Sequence, residues 1–200
     1  MVVDDRVREE IAFIRNAIEQ GRGCAGQHSL DLLIWGIALA VGYLGTYAVA
    51  GGWRRFDPNW VWAICIGLAW LYSLRGLFRQ RSFGSLQLES RPPVVQALQM
   101  LWVACGIFLS IFSIAVTLGG DMRMGWFSAV AAGTFGIAFF VSSYLCGLAW
   151  LRTVAVAWWG AALVLYVLRT RLEVLPVSAA FMLVLLALPG FLLWRSRPAA

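Results

Sequence analysis

Two hundred residues carry a formal charge of +6, yet only 13% of them are charged and 61% are apolar, with a mean hydropathy of +0.77. Soluble domains are about half apolar and about a quarter charged, so these proportions exclude an ordinary soluble fold. They also exclude nucleic acid as the reason for the positive charge, because the basic residues are arginines between apolar runs, with no lysine at all. The expected fold class is all-α: a polytopic transmembrane bundle of six helices, preceded by a cytoplasmic amphipathic helix, with the lipid bilayer as its first partner.

The leading helix and a hinge take up residues 1–28. Val7, Ile11, Ile14 and Ile18 are spaced four, three and four, which sets them in one stripe along a helix. Asp4 can cap its start, and Gly21 or Gly23 can end it. Asp4 and Arg8, Arg6 and Glu10, and Arg15 and Glu19 can pair across a turn. Residues 1–22 hold four arginines against five acids, whereas a helix anchored on anionic lipid is rich in basic residues. Two uses stay open: docking on a protein partner or on this chain's own surface, and lying at the interface to set the start of the first span.

The transmembrane domain is expected over 29–200. A hydrocarbon core about 30 Å thick takes about 20 apolar residues per helix. Runs of that kind extend over 32–51, 59–78 and 94–118. From Gly125 to Leu168 the chain is apolar except for Arg152, and as one helix this stretch would be about 66 Å long. It is therefore expected to fold back near Arg152, giving spans at about 125–150 and 151–168. The last span is 174–194, with Pro176 in its first turn.

Arginine sets the threading. With the N-terminus inside, eleven arginines face the cytoplasm and Arg54, Arg55, Arg123, Arg169 and Arg171 face out. Both termini are then cytoplasmic, and Trp53, Trp60, Trp62 and Trp126 fall at the outer boundary. A cleaved signal peptide ending at Ala48-Val49-Ala50 is the rival, but its leader is too long and of mixed sign.

The middle of every expected span is empty of Asp, Glu, His and Arg, which argues against proton-coupled or ion-coupled transport. His28 is the sole histidine, so a bis-histidine haem within one chain is excluded. Cys24, His28 and Asp31 lie at helical spacing and read either as half a metal site or as the polar start of a helix. Cys65, Cys105 and Cys146 sit at three depths without a Cys-x-x-Cys pair and read as packing residues. Nucleophile-elbow, P-loop, dinucleotide-binding and zinc-protease motifs are all missing from the sequence. No catalytic, cofactor-binding or metal residue is assigned, and no enzyme is expected.

Small residues recur every fourth position at Ala38, Gly42, Thr46 and Ala50, and again at Ser128, Ala132 and Gly136. Such stripes let helices approach closely, either inside the bundle or at a homo-oligomer seam. Trp35, Trp102, Trp158 and Trp159 lie inside the spans, where each indole N–H needs a partner. They read as packing residues or as the wall of an aromatic cavity. Pro189 can kink the last span and free a carbonyl.

A charged "EIAFIRNAIEQGR" leader, then "LLIWGIALAVGYLGTYAV", "GIAFFVSSYL" and a closing "LALPGFLLWR" follow one another along the chain. In these features it resembles a family of uncharacterised bacterial integral membrane proteins, over nearly its whole length. The resemblance implies the bacterial inner membrane; the family has no assigned reaction, so no residue role follows from it. The expected function is a non-enzymatic scaffold, accessory subunit or regulator acting through helix–helix contacts, with Val7, Ile11, Ile14 and Ile18 as partner-binding residues. The alternative is a passive channel or carrier for a small neutral or apolar solute, with Tyr43, Tyr47, Ser110, Ser113, Thr117, Thr134, Ser142 and Ser143 as candidate lining. An enzymatic site would have to use Arg79, Arg81, Glu89 and Arg91 of the central loop, which read more simply as markers of the inner face.

Overall fold

The computed structural model describes residues 29–53, 57–82, 93–118 and 124–195, and every regular element among them is helical. The helices are α1 (Ser29–Ala50), α2 (Pro58–Ser82), α3 (Pro93–Leu118), α4 (Met124–Leu145), α5 (Trp150–Val167), α6 (Val174–Phe181) and α7 (Leu188–Arg195). A π-helical turn, Met182–Ala187, joins α6 to α7, so the three pieces form one last rod. Five rods are long and apolar enough to cross a membrane: α1, α3, α4, α5 and the last one. This is the mark of a membrane protein. α2 is long enough but carries Asn59, three tryptophans, Tyr72, Ser73 and Arg75, and it lies outside that set. The leading helix and its stripe of Val7, Ile11, Ile14 and Ile18 lie outside the described residues.

Glycines set two of the reversals. After α1, Gly52 takes φ +75°, and the amide of Trp53 donates to the carbonyl of Ala48 at 2.9 Å. After α4, Gly147 takes φ +64°, and the amide of Leu148 donates to the carbonyl of Ser143 at 3.0 Å. Both are Schellman closures, in which a left-handed residue past the helix end lets the chain turn back and satisfy the last carbonyls. The reversal expected near Arg152 is therefore earlier: α4 stops at Leu145 and Arg152 lies in the first turn of α5. The arginine marks a boundary, but glycine is the residue that tolerates the left-handed backbone. Asp57 opens α2, with its carboxylate accepting the amide of Asn59 at 2.9 Å and Pro58 at the first helical position.

α1 lies at the centre, packed on α2 along one side and on the whole last rod along another. α4 and α5 form the most closely packed hairpin, α3 leans on α4, and the last rod closes against α5 and α4. Lipid is as apolar as leucine, so close approach and hydrogen bonds hold such helices together more than burial does. A Cβ on Gly190 would come to 2.7 Å from the Leu33 nitrogen, and one on Gly36 to 2.7 Å from the Ala187 nitrogen, so α1 and the last rod meet backbone to backbone. Between α4 and α5, the Trp159 ring occupies the place where Gly136 has no side chain.

Pro189 and Trp158 account for the irregular turn in the last rod. Proline has no N–H for the carbonyl one α-helical turn earlier, that of Leu185. The Trp158 indole, wholly buried in α5, donates to that carbonyl at 3.1 Å. The π turn over Met182–Ala187 ends two residues before the proline, where the regular ladder is interrupted.

Candidate functional site

α2 and α3 pack on different partners, α1 and α4, and hardly touch each other. Between them lies a cavity of about 300 Å³ that runs from Asp31 at one end of the bundle to Asn59 at the other. The sequence patterning explains this gap. α2 turns Trp62, Ile66, Trp70 and Ser73 inward at spacings of four, four and three, and α3 turns Trp102, Gly106, Leu109 and Ser113 inward in the same way. Opposite these faces, Ile64, Leu68 and Leu71 of α2 and Ile107, Ile111 and Ile114 of α3 point outward. α1 supplies Trp35, Leu39 and Tyr43, α4 supplies Phe135, and Met182 and Leu186 of the π turn complete the floor.

Four indoles therefore line one space. Trp35 and Trp70 meet edge to face, with centroids 5.7 Å apart at 88°, and Trp102 stands edge-on to Phe139 at 5.3 Å. Trp70 reaches across the gap: a Cβ on Gly106 would lie 3.7 Å from its ring, an ordinary contact distance.

Polar groups in the walls are organised as relays. At one end the Trp35 indole donates to Ser73 Oγ at 3.1 Å, and Ser73 Oγ donates to Asp31 Oδ1 at 3.4 Å. Toward the other end the Trp62 indole donates to Thr46 Oγ1 at 2.9 Å, and Thr46 donates to the carbonyl of Gly42 at 2.9 Å. Within the wall, buried Tyr43 shares a hydrogen bond of 2.9 Å with Ser128, which ties α1 to α4. The indole N–H groups of Trp35 and Trp62 are thus each matched across the α1–α2 boundary, as burial in an apolar setting demands.

The structure sorts the residues singled out by sequence. Tyr43, Ser110 and Ser113 line the cavity. Thr134, Ser142 and Ser143 instead turn back on carbonyls of their own helix, at 2.9, 2.6 and 2.7 Å. Trp35 and Trp102 face the cavity, Trp158 is core, and Trp159 packs on Gly136 and Phe140. Gly42 and Thr46 of the first stripe meet Trp62, while Ala38 is half-buried and Ala50 exposed. Ser128, Ala132 and Gly136 of the second stripe are all buried. Trp62, expected at the outer water boundary, turns inward onto α1, because Gly42 leaves room for its ring and Thr46 accepts its N–H. Trp70 was not singled out, and only its i, i+4 and i, i+3 relation to Ile66 and Ser73 could have shown that it shares their face.

Cys24 and His28 lie outside the described residues, and no cluster of three metal-ligating side chains exists among the described ones. Cys65, Cys105 and Cys146 form no disulfide among the described residues. Glu89 and Arg91 also lie outside the described residues. Compared with protein-family models, with curated proteins and with solved structures, the chain has no significant match.

Proposed function

We propose that this is a non-enzymatic, six-span protein of the bacterial inner membrane, with both termini cytoplasmic, that holds a small neutral or apolar membrane-soluble molecule between α2 and α3. The sixth span of this reading is α2, whose outward face is apolar although its inward face is aromatic and polar. The observation that carries the proposal is the cavity itself: four tryptophans from α1, α2 and α3 around a space that α2 and α3, which scarcely pack on each other, leave open. A pocket that is mostly apolar with a few convergent polar groups suits a membrane-soluble ligand that it carries or senses. Native mass spectrometry after gentle extraction tests it, with Gly106→Phe as the variant that fills the space beside Trp70. A small molecule retained by the wild type and lost from the variant is expected. Equal occupancy in both proteins, or no bound molecule in either, would overturn the reading.

A second reading, a scaffold or accessory subunit, rests on α3. It leans on the bundle chiefly through α4, and Met100, Phe108, Ile111 and Ile114 face outward as a surface for a partner helix or a second copy. A stable second chain in the same spectra is what this reading expects.

A further inference from the structure

We infer that the cavity's ligand is a single-chain neutral lipid: one unbranched hydrocarbon chain with a small uncharged head such as a hydroxyl. The inference rests on the cavity reading above and names the class of ligand. Shape carries it. Asn59 and Leu74, fifteen residues apart on α2, both line the cavity, so it runs about 22 Å along the bundle at about 1.5 Å per residue. About 300 Å³ spread over that length leaves a mean cross-section of about 14 Å². Carbon atoms in contact lie about 4 Å apart, so an extended hydrocarbon chain fills about 13 Å², and a flat ring system, one thickness by two widths, about twice that. The space is a slot for one chain. A zigzag of bonds about 1.5 Å long advances about 1.3 Å per carbon, so the slot takes about 17 carbons.

The lining has the chemistry of such a chain. Gln99 lies at one end, beside the Ser73–Asp31 hydrogen bond, and Asn59 lies at the other. A side-chain amide both donates and accepts, so either end can hold a hydroxyl head. Between the ends the slot runs past Leu39, Ile66, Val103, Leu109 and Met182. Methionine, unbranched and adaptable, fills irregular gaps along a chain well. Trp70 reaches toward Gly106, where a Cβ would lie 3.7 Å from its ring, and so pinches the slot against a wide body.

Access fits a molecule dissolved in the bilayer. α2 and α3 hardly touch, and Ile64 and Leu68 of one and Ile107 and Ile111 of the other face outward. A chain already among lipid tails enters sideways between the two helices without crossing the headgroups. A phospholipid would bring a second chain, for which a slot of this section has no room.

The test is photolabelling of full-length protein in nanodiscs of diphytanoylphosphatidylcholine, whose methyl-branched chains do not match the slot. The label is octadecanol with a mid-chain diazirine, and the labelled residues are mapped by mass spectrometry. Two competitors that share a hydroxyl head, linear 1-octadecanol and fused-ring cholesterol, are added at equal mole fraction of lipid. Saturable labelling on the inward faces of α2 and α3 is expected, displaced by octadecanol at about tenfold lower mole fraction than by cholesterol. Gly106→Phe should abolish it. Trp70→Ala should widen the slot and bring cholesterol close to octadecanol, and it keeps the inference testable should the Gly106 variant fail to fold. Labelling in dioleoylphosphatidylcholine nanodiscs should be the same; its loss there would overturn the single-chain assignment, since a phospholipid tail would then fill the slot. Equal competition by the two alcohols in the wild type, with labelling lost in Gly106→Phe, would overturn the chain inference and leave the cavity reading standing. No saturable labelling between α2 and α3 would overturn the chain inference, and with no small molecule in the native mass spectra it would overturn both.

Discussion

Replacing Gly190 by alanine should loosen the centre of the bundle, and the size of the effect follows from two opposing terms. Alanine gains about 1 kcal/mol over glycine as a helix former. Against this, the new methyl would lie 2.7 Å from the Leu33 nitrogen, 2.8 Å from the Ser29 oxygen and 3.0 Å from the Leu32 Cβ. Two of these three atoms are backbone, so no side chain can swing away, and α1 would have to part from α7 by roughly 1 Å to restore ordinary contact. Overpacking of this kind costs about 1–3 kcal/mol and more where backbone must move, so the variant should be less stable by about 1–2 kcal/mol net. Gly160→Ala is the matched control, because a Cβ there meets nothing within 4 Å. It should gain stability from helix propensity alone. Unfolding in mixed micelles by titration with sodium dodecyl sulfate, followed by tryptophan fluorescence, compares the two. Equal midpoints for the two variants would refute the claim that α1 and the last rod are held by backbone approach at Gly190.

Two further outcomes follow from single contacts. Trp158→Phe removes the donor to Leu185 and should cost about 1–2 kcal/mol in the same titration. It should cost less in a Pro189→Ala background, where a backbone N–H becomes available to that carbonyl, and an additive double-mutant cycle would show that the indole and the proline are not linked. Gly147→Ala forces a methyl-bearing residue to φ +64° and should cost about 1–2 kcal/mol, with Gly147→Asn costing less; an alanine variant as stable as wild type would mean that the α4–α5 turn can close without a left-handed residue.

Much of the fold is legible in the chain because lipid imposes a length and a polarity on any helix that crosses it. The apolar runs at 32–51, 94–118 and 174–194 lie within a residue or a few of α1, α3 and the last rod. The fold-back within 125–168 follows from length alone, and Pro189 is the evident point of disturbance in the last rod. The site was only half legible. Trp35 and Trp102 stood out as buried indoles, but Trp62 looked like an interface anchor and Trp70 like one more apolar residue.

Composition and spacing thus determine, by themselves, that the described chain is helical, that several of its helices are apolar enough to cross a membrane and about where these run, since backbone hydrogen bonds must close within each segment in an apolar solvent. Which helices touch is not written in those local patterns. It depends on pairs far apart in sequence: Gly42 opposite Trp62, Gly190 opposite Leu33, and the Trp158 indole on Leu185. The tertiary structure alone decides that α2 and α3 stay apart and that four indoles, three serines and Asp31 face the space between them. An apolar helix reads the same whether its face meets lipid, a neighbour or a cavity, and only packing tells these apart.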